Sequence, residues 1–379
     1  MPKLASHIDL VPASGIRRIH EAALGLNGVT MLAVGEPDVP VAPHIAAAAK
    51  AAWDADKTDY TPNGGILPFR EAVVAKLAAV NGIAATTDQV WSTIGATQAI
   101  SQALGLVLDV GDEVLVPNPG YTTFSMSTRM LQAVPSYYSL LPENGFLPDL
   151  AELDSLVTSR TRAIIVNSPS NPIGVVFPES VLRDIMAFAE RHDLWVISDE
   201  VYEAFTHGTP HVSIGSLDDG ARVLSAFSLS KTYAMTGIRI GYLVTPPGLV
   251  DVMRRVQEGV ISCVNEPAQY AAIAAITGDQ FHVEQAAAHY RRNIARATAI
   301  LDERGIRYLA PQGAFYLWVD VSHVSGGDVQ AWAERFLSET RVAVAPGSAF
   351  GTAGEGWIRL CAAASPDDLL LGVNALPAP

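Results

Sequence analysis

The sequence predicts an α/β fold: a large domain with a mainly parallel central sheet sandwiched by helices, plus a smaller α+β domain made of the N-terminal segment and the C-terminal part. Three observations predict it. Through the middle of the chain, short β-branched apolar runs alternate with longer amphipathic stretches, the pattern of βαβ units. The 379 residues exceed the usual span of one hydrophobic core, which favours two packed domains. Beyond residue 285 the alternation gives way to a long helix and scattered short strands.

Residues 113–116, 163–166, 195–198 and 223–227 read as strands buried on both faces, because their apolar residues run on without polar alternation. Between them, residues 178–192 place Val181, Leu182, Ile185, Phe188 and Ala189 at helical spacing. Residues 240–244 follow the preceding strand too soon for a crossover helix, so an antiparallel strand is expected there. A helix over 281–304, a strand at 315–319, a helix over 329–340 and strands at 342–344 and 357–361 complete the chain. The small domain is therefore assigned to residues 1–40 and 285–379 and the large one to 41–284. A continuous helix joins them, and the cleft between them is the expected active site.

The composition, 49% hydrophobic and 17% charged, is that of a globular protein. A net charge of −14 argues against nucleic acid or an anionic membrane as partner, since both require a concentrated basic surface. The N-terminal Met1-Pro2-Lys3-Leu4-Ala5-Ser6-His7 lacks a secretory h-region, and no apolar run reaches membrane-spanning length. A soluble, cytoplasmic protein is expected. Cys263 and Cys361 have no CxxC spacing and no neighbouring histidine, so free thiols are expected and no metal. The nine histidines form no ligand cluster, and His7, His44 and His207 read as solvated.

Three features stand at strand ends or in turns, where an open α/β sheet binds ligands. Asp199 follows four buried strand residues, and a buried carboxylate needs a partner. Ser228-Leu229-Ser230-Lys231 also follows a strand, with Arg239 eight residues on. Gly95-Ala96-Thr97 opens a helix whose free N–H groups suit a phosphate. Pyridoxal 5'-phosphate uses all three. Its aldehyde joins a lysine amine, its pyridine nitrogen wants an anion, and its phosphate wants N–H groups and an arginine. A ring nitrogen kept protonated by Asp199 makes the cofactor an electron sink, and Lys231 is then placed to carry a substrate proton.

With these motifs in order and at their spacings, the chain resembles the fold-type-I, class I/II aminotransferases. The resemblance runs from Gly35-Glu36-Pro37-Asp38 to Trp357-Ile358-Arg359-Leu360. It rests most on Asn167-Ser168-Pro169-Ser170-Asn171-Pro172 and on Ser228-x-x-Lys231 with Thr236-Gly237-Ile238-Arg239. It implies a ping-pong exchange of an amino group between an L-amino acid and a 2-oxo acid, through a Schiff base on Lys231. It implies that Asn171 and Tyr202 bond the cofactor's phenolic oxygen, that Tyr121 stacks on its ring, and that Gly95, Ala96, Thr97, Ser228 and Arg239 hold its phosphate. Tyr60 joins them from a second subunit, so a homodimer is implied. Arg359 would grip the substrate α-carboxylate as a bidentate fork, with Gly35, Ile16, Asn171 and Tyr121 also lining the substrate. A cis Asn171–Pro172 peptide is expected on the same ground.

Two departures stand out. In an aspartate-using bacterial subgroup a lysine occupies the place of Thr97 and reads the distal carboxylate, so a donor with a neutral side chain is expected to be preferred over aspartate. Asn265-Glu266 replaces small polar residues and has no explanation from the sequence. A β-lyase, cyclase or oxidase on the same scaffold shares these motifs. A regulator with an added DNA-binding domain is not expected at this length.

Overall fold

The computed structural model describes residues 2–219 and 221–379. Seven strands form the main sheet: β1 (Val90–Thr93), β2 (Glu113–Asn118), β3 (Val134–Ser139), β4 (Thr161–Asn167), β5 (Trp195–Asp199), β6 (Val223–Ser228) and β7 (Gly241–Val244). Their order is β1-β7-β6-β5-β4-β2-β3. Only β7 runs against its neighbours β1 and β6. The other contacts are parallel. The expected antiparallel strand is thus β7.

Successive strand residues point to opposite faces, and both faces are covered. Ile164 and Val166 of β4 pack with Leu182, Ile185 and Phe188 of the helix Glu179–Arg191. Ala163 and Ile165, one residue out of phase, pack with Ala99, Ile100, Ala103 and Leu104 of the helix Gly95–Val107. That is why the strands read as unbroken apolar runs.

β1 and β3 were not expected from the sequence. β3 carries Pro135 and alternates in burial rather than running apolar. As the outermost strand it leaves one edge unpaired, where a missing N–H is tolerated. β1 is four residues long and half of it is Ser92 and Thr93, too polar to announce a buried strand.

The helix Phe281–Glu303 leads to a second, antiparallel sheet ordered β10-β11-β9-β8, with β8 (Tyr308–Leu309), β9 (Tyr316–Asp320), β10 (Ala345–Pro346) and β11 (Trp357–Cys361). The N-terminal segment joins this part of the chain, since Thr30–Met31 pairs in parallel with Val342–Ala343. No helix among the described residues is long and apolar enough to cross a membrane.

Candidate active site

The parallel strands end on polar side chains at one rim of the main sheet. At the end of β4, the Asn167 side-chain oxygen accepts a 2.8 Å hydrogen bond from the Asn171 amide and holds the following turn. Asn171–Pro172 is cis, as expected, and so are Ser168–Pro169 and Asn118–Pro119. β5 ends on Asp199, in register with Asn167. β6 ends on Ser228, whose Oγ accepts from the Ser230 amide at 3.1 Å and caps the single turn that carries Lys231. Beyond β1, Gly95 adopts φ +69°, and a Cβ there would lie 2.6 Å from Arg239 Nη2. Only glycine lets that guanidinium lie so close to the start of a helix.

The second sheet and the N-terminal segment supply the opposite wall. Arg359 of β11 is 2% exposed. Its Nη1 donates to Asn171 Oδ1 at 2.7 Å and its Nη2 to the Ala33 carbonyl at 2.6 Å, while its Nε–H has no partner among the described residues. The guanidinium carbon lies 4.2 Å from the Tyr316 ring centre and 4.8 Å from that of Phe350. Lys231 Nζ donates to the Gly35 carbonyl at 2.7 Å.

These groups open on one cavity of about 610 Å³. Of the residues singled out from the sequence, Lys231, Asp199, Tyr202, Asn171 and Tyr121 line it. So do Ala96, Thr97, Ser228 and Arg239, and so do Gly35, Ile16 and Arg359. Two do not. Gly95 lies beneath Arg239, and Tyr60 is 91% exposed in a separate pocket beside Trp53, Cys263 and Glu266. Within its own chain Tyr60 is therefore not part of the cavity. Glu266, unexplained in the sequence, starts the helix Glu266–Thr277 that Asn265 caps, and a carboxylate suits a helix N-terminus.

Sequence reasoning passed over Tyr316 and His20, both of which line the cavity. Tyr316 stands in the strand Tyr-Leu-Trp-Val-Asp and reads as core packing; only its cross-sheet neighbours distinguish it. The histidine readings also need correction. His44 and His207 are half-buried with ring nitrogens shielded from water, and His207 Nε2 lies 2.8 Å from the Ala314 carbonyl. His211 gathers with Glu200 and Glu203, a grouping the spacing did not suggest. Lys76 already pairs with Glu203, and His211 lies 2.9 Å from Glu200, so the cluster is internally compensated.

Burial sets the electrostatics. It pushes the Asp199 carboxyl up to about 7, against the opposing hydrogen bond from the Val201 amide. It pushes the Lys231 amine down to about 8. The Tyr202 phenol is raised well above its ordinary value by burial and then by Tyr316. Among the described residues, neither Asp199, Arg239 nor Arg359 forms an ion pair. Asp199 and Arg359 are buried, where a charge without a partner is costly. Arg239 is exposed and donates to the Thr236 and Ile94 carbonyls. The cavity therefore suits a ligand with anionic groups for the arginines and a cationic one for Asp199.

The model of the family "Aminotransferase class I and II" matches residues 27–375. The chain belongs to the class I and II aminotransferases. It is 37% identical to aromatic-amino-acid aminotransferase 2 of Thermococcus litoralis, over 97% of this chain and 95% of that protein. It is equally similar to the aspartate aminotransferase of Pyrococcus abyssi, with the same coverage. Among solved structures, the Thermus thermophilus aspartate aminotransferase with maleate superposes with a TM-score of 0.94 at 34% identity over 99% of both chains. The chain is thus an aminotransferase of fold type I, which exchanges an amino group between an amino acid and a 2-oxo acid. Members of this family depend on pyridoxal phosphate.

Proposed function

We propose that this aminotransferase holds pyridoxal 5'-phosphate in the 610 Å³ cavity and uses Lys231 as the group that both anchors it and moves the substrate proton. The observation that carries the reading is the set of uncompensated charges around that cavity. Asp199 suits a pyridinium nitrogen, while Arg239 and the start of the helix Gly95–Val107 suit a phosphate. The unpartnered Nε–H of Arg359 suits a carboxylate. When bound, the cofactor supplies the electron sink that lets a Cα–H bond break.

The residues then divide the work. Arg359, pinned by Asn171 and Ala33, orients the amino acid by its α-carboxylate. Lys231, whose burial favours the neutral amine, takes the proton from Cα and delivers it to the cofactor's aldehyde carbon, two atoms along. Tyr202 and Asn171 bond the phenolic oxygen, and Tyr121 covers the ring. Residues 41–284 form the cofactor-binding domain in this reading, and 1–40 with 285–379 the smaller one. The working unit is a homodimer in which the exposed Tyr60 completes the neighbouring subunit's phosphate site.

A donor with a neutral side chain is preferred over aspartate. Thr97, Ile16, Ile100 and Met126 offer the cavity no charge, and a second buried carboxylate without a cation is costly. Arg17 also lines the cavity, and its side chain has no hydrogen-bond or ion-pair partner among the described residues. It is exposed, so it admits an acidic 2-oxo acid but compensates a distal carboxylate less than a buried cation would, and aspartate remains the poorer donor. The relatives do not choose, being named for aromatic amino acids and for aspartate at equal identity. The test is a spectral and kinetic screen of the protein loaded with pyridoxal phosphate. Amino donors should bleach its visible band, a 2-oxo acid should restore it, and kcat/KM for alanine, methionine or phenylalanine should exceed that for aspartate. A band that no amino acid bleaches refutes the function, and an aspartate value above the other three refutes the preference.

A further inference from the structure

We propose that Tyr316 is a positioning residue that ties the arginine gripping the substrate to the tyrosine serving the cofactor. Its ring backs the Arg359 guanidinium and its hydroxyl orients that of Tyr202. This rests on the proposed cofactor role of the cavity and goes beyond it, since that reading gives Tyr316 no part in the chemistry.

The geometry is that of a junction. Tyr316 is 1% exposed and belongs to β9, with Arg359 on the neighbouring β11. The guanidinium carbon lies 4.2 Å from its ring centre, within the range of a cation–π contact. Its hydroxyl lies 2.5 Å from the Tyr202 hydroxyl, and among the described residues neither oxygen has another hydrogen-bond partner. The hydroxyl fills the space a Cβ on Gly35 would need. Glycine at 35 thus makes room for Tyr316, and the Gly35 carbonyl in turn receives Lys231.

The protons decide the direction of the hydroxyl pair. Burial holds both phenols protonated at neutral pH, Tyr316 at about 12 and Tyr202 well above its ordinary value. Two hydroxyls in contact spend one proton on each other and leave one free. For Tyr202 to donate into the cavity, Tyr316 must donate to Tyr202. A hydroxyl that accepts one bond is also polarised toward giving a stronger one. Tyr316 therefore fixes both the direction and the strength of the Tyr202 donor.

The experiment is a pH titration of the visible band of the protein loaded with pyridoxal phosphate, with steady-state kinetics in parallel. The proton reported by that band lies beside the phenolic oxygen. A donor on that oxygen favours the proton's loss, so weakening the donor raises the midpoint. Tyr316→Phe keeps the ring and removes the hydroxyl. It should raise the midpoint by about half to one pH unit, the scale of one hydrogen bond, with the donor KM changed less than about twofold. Tyr202→Phe should raise it at least as far, and the double variant should add nothing, because one acts through the other. Tyr316→Leu also removes the ring face and should raise the donor KM roughly tenfold. If Tyr202→Phe moves the midpoint and Tyr316→Phe does not, the relay is overturned while the cofactor assignment stands. If neither moves it, the assignment of Tyr202 falls as well. A full additional shift in the double variant also overturns the relay.

Discussion

Replacing Arg359 by lysine keeps a positive charge in the cavity and removes the fork. In the native chain two guanidinium nitrogens are committed to Asn171 and Ala33, at 2.7 and 2.6 Å. The flat group is packed between Tyr316 and Phe350, which leaves Nε–H free to donate. An ammonium has no plane to stack and cannot satisfy Asn171 and Ala33 while also presenting two parallel donors. A hydrogen bond to a charged group is worth about 1.5–3 kcal/mol, so kcat/KM should fall roughly 10- to 150-fold at about 1.4 kcal/mol per decade. Amino acid and 2-oxo acid both carry the α-carboxylate, so both half-reactions should fall by a similar factor. Capture of the cofactor should be unaffected. The assay is a pair of single-turnover measurements, one per half-reaction, alongside a cofactor titration. A loss below about threefold, or one confined to a single half-reaction, would show that Arg359 does not hold the shared carboxylate.

Lys231→Ala should fold normally by circular dichroism yet lose at least about 10³-fold in amino transfer; wild-type turnover would remove Lys231 from the chemistry. Because burial lowers the Lys231 amine to about 8 and only the neutral amine attacks an aldehyde, uptake of pyridoxal phosphate should accelerate with pH and level off above that value. A rate independent of pH across the neutral range would refute this. Asp199 should destabilise the cofactor-free protein. Burial raises its carboxyl from an ordinary value of 3.8 to about 7, so the stability that goes with the protonated form is full below the lower value and is lost as pH rises through the upper one. Asp199→Asn should therefore unfold at higher denaturant than wild type at neutral and alkaline pH, by up to about 4 kcal/mol, and the gain should vanish in acid. Light scattering should find a dimer, and Tyr60→Phe should weaken cofactor binding about tenfold without dissociating it; an active monomer would refute the shared site.

The parts of the site legible in the sequence are those built from local geometry. Asp199 and the Ser228-to-Lys231 turn each follow a buried apolar strand, and a charged or polar residue at such a place cannot be there for packing. The Gly95 turn is legible for the same reason, since a helix opened by small residues exposes its N–H groups. Interior strands announce themselves because both faces are buried. β3, with Pro135, and β1, with half its residues polar, do not.

Tertiary structure decided what depends on partners distant in sequence. Whether Arg359 is a surface ion pair or a buried unpaired cation depends on Asn171, 188 positions away. Tyr316 becomes more than a core aromatic only through Tyr202, 114 positions away. His44 and His207 are half-buried because other segments cover them. Strand and turn chemistry is written within a few residues and can be read there. Burial, ion pairing and hydroxyl contact arise only when separate sheets close on one another, and a single chain of letters carries no direct record of which surfaces meet.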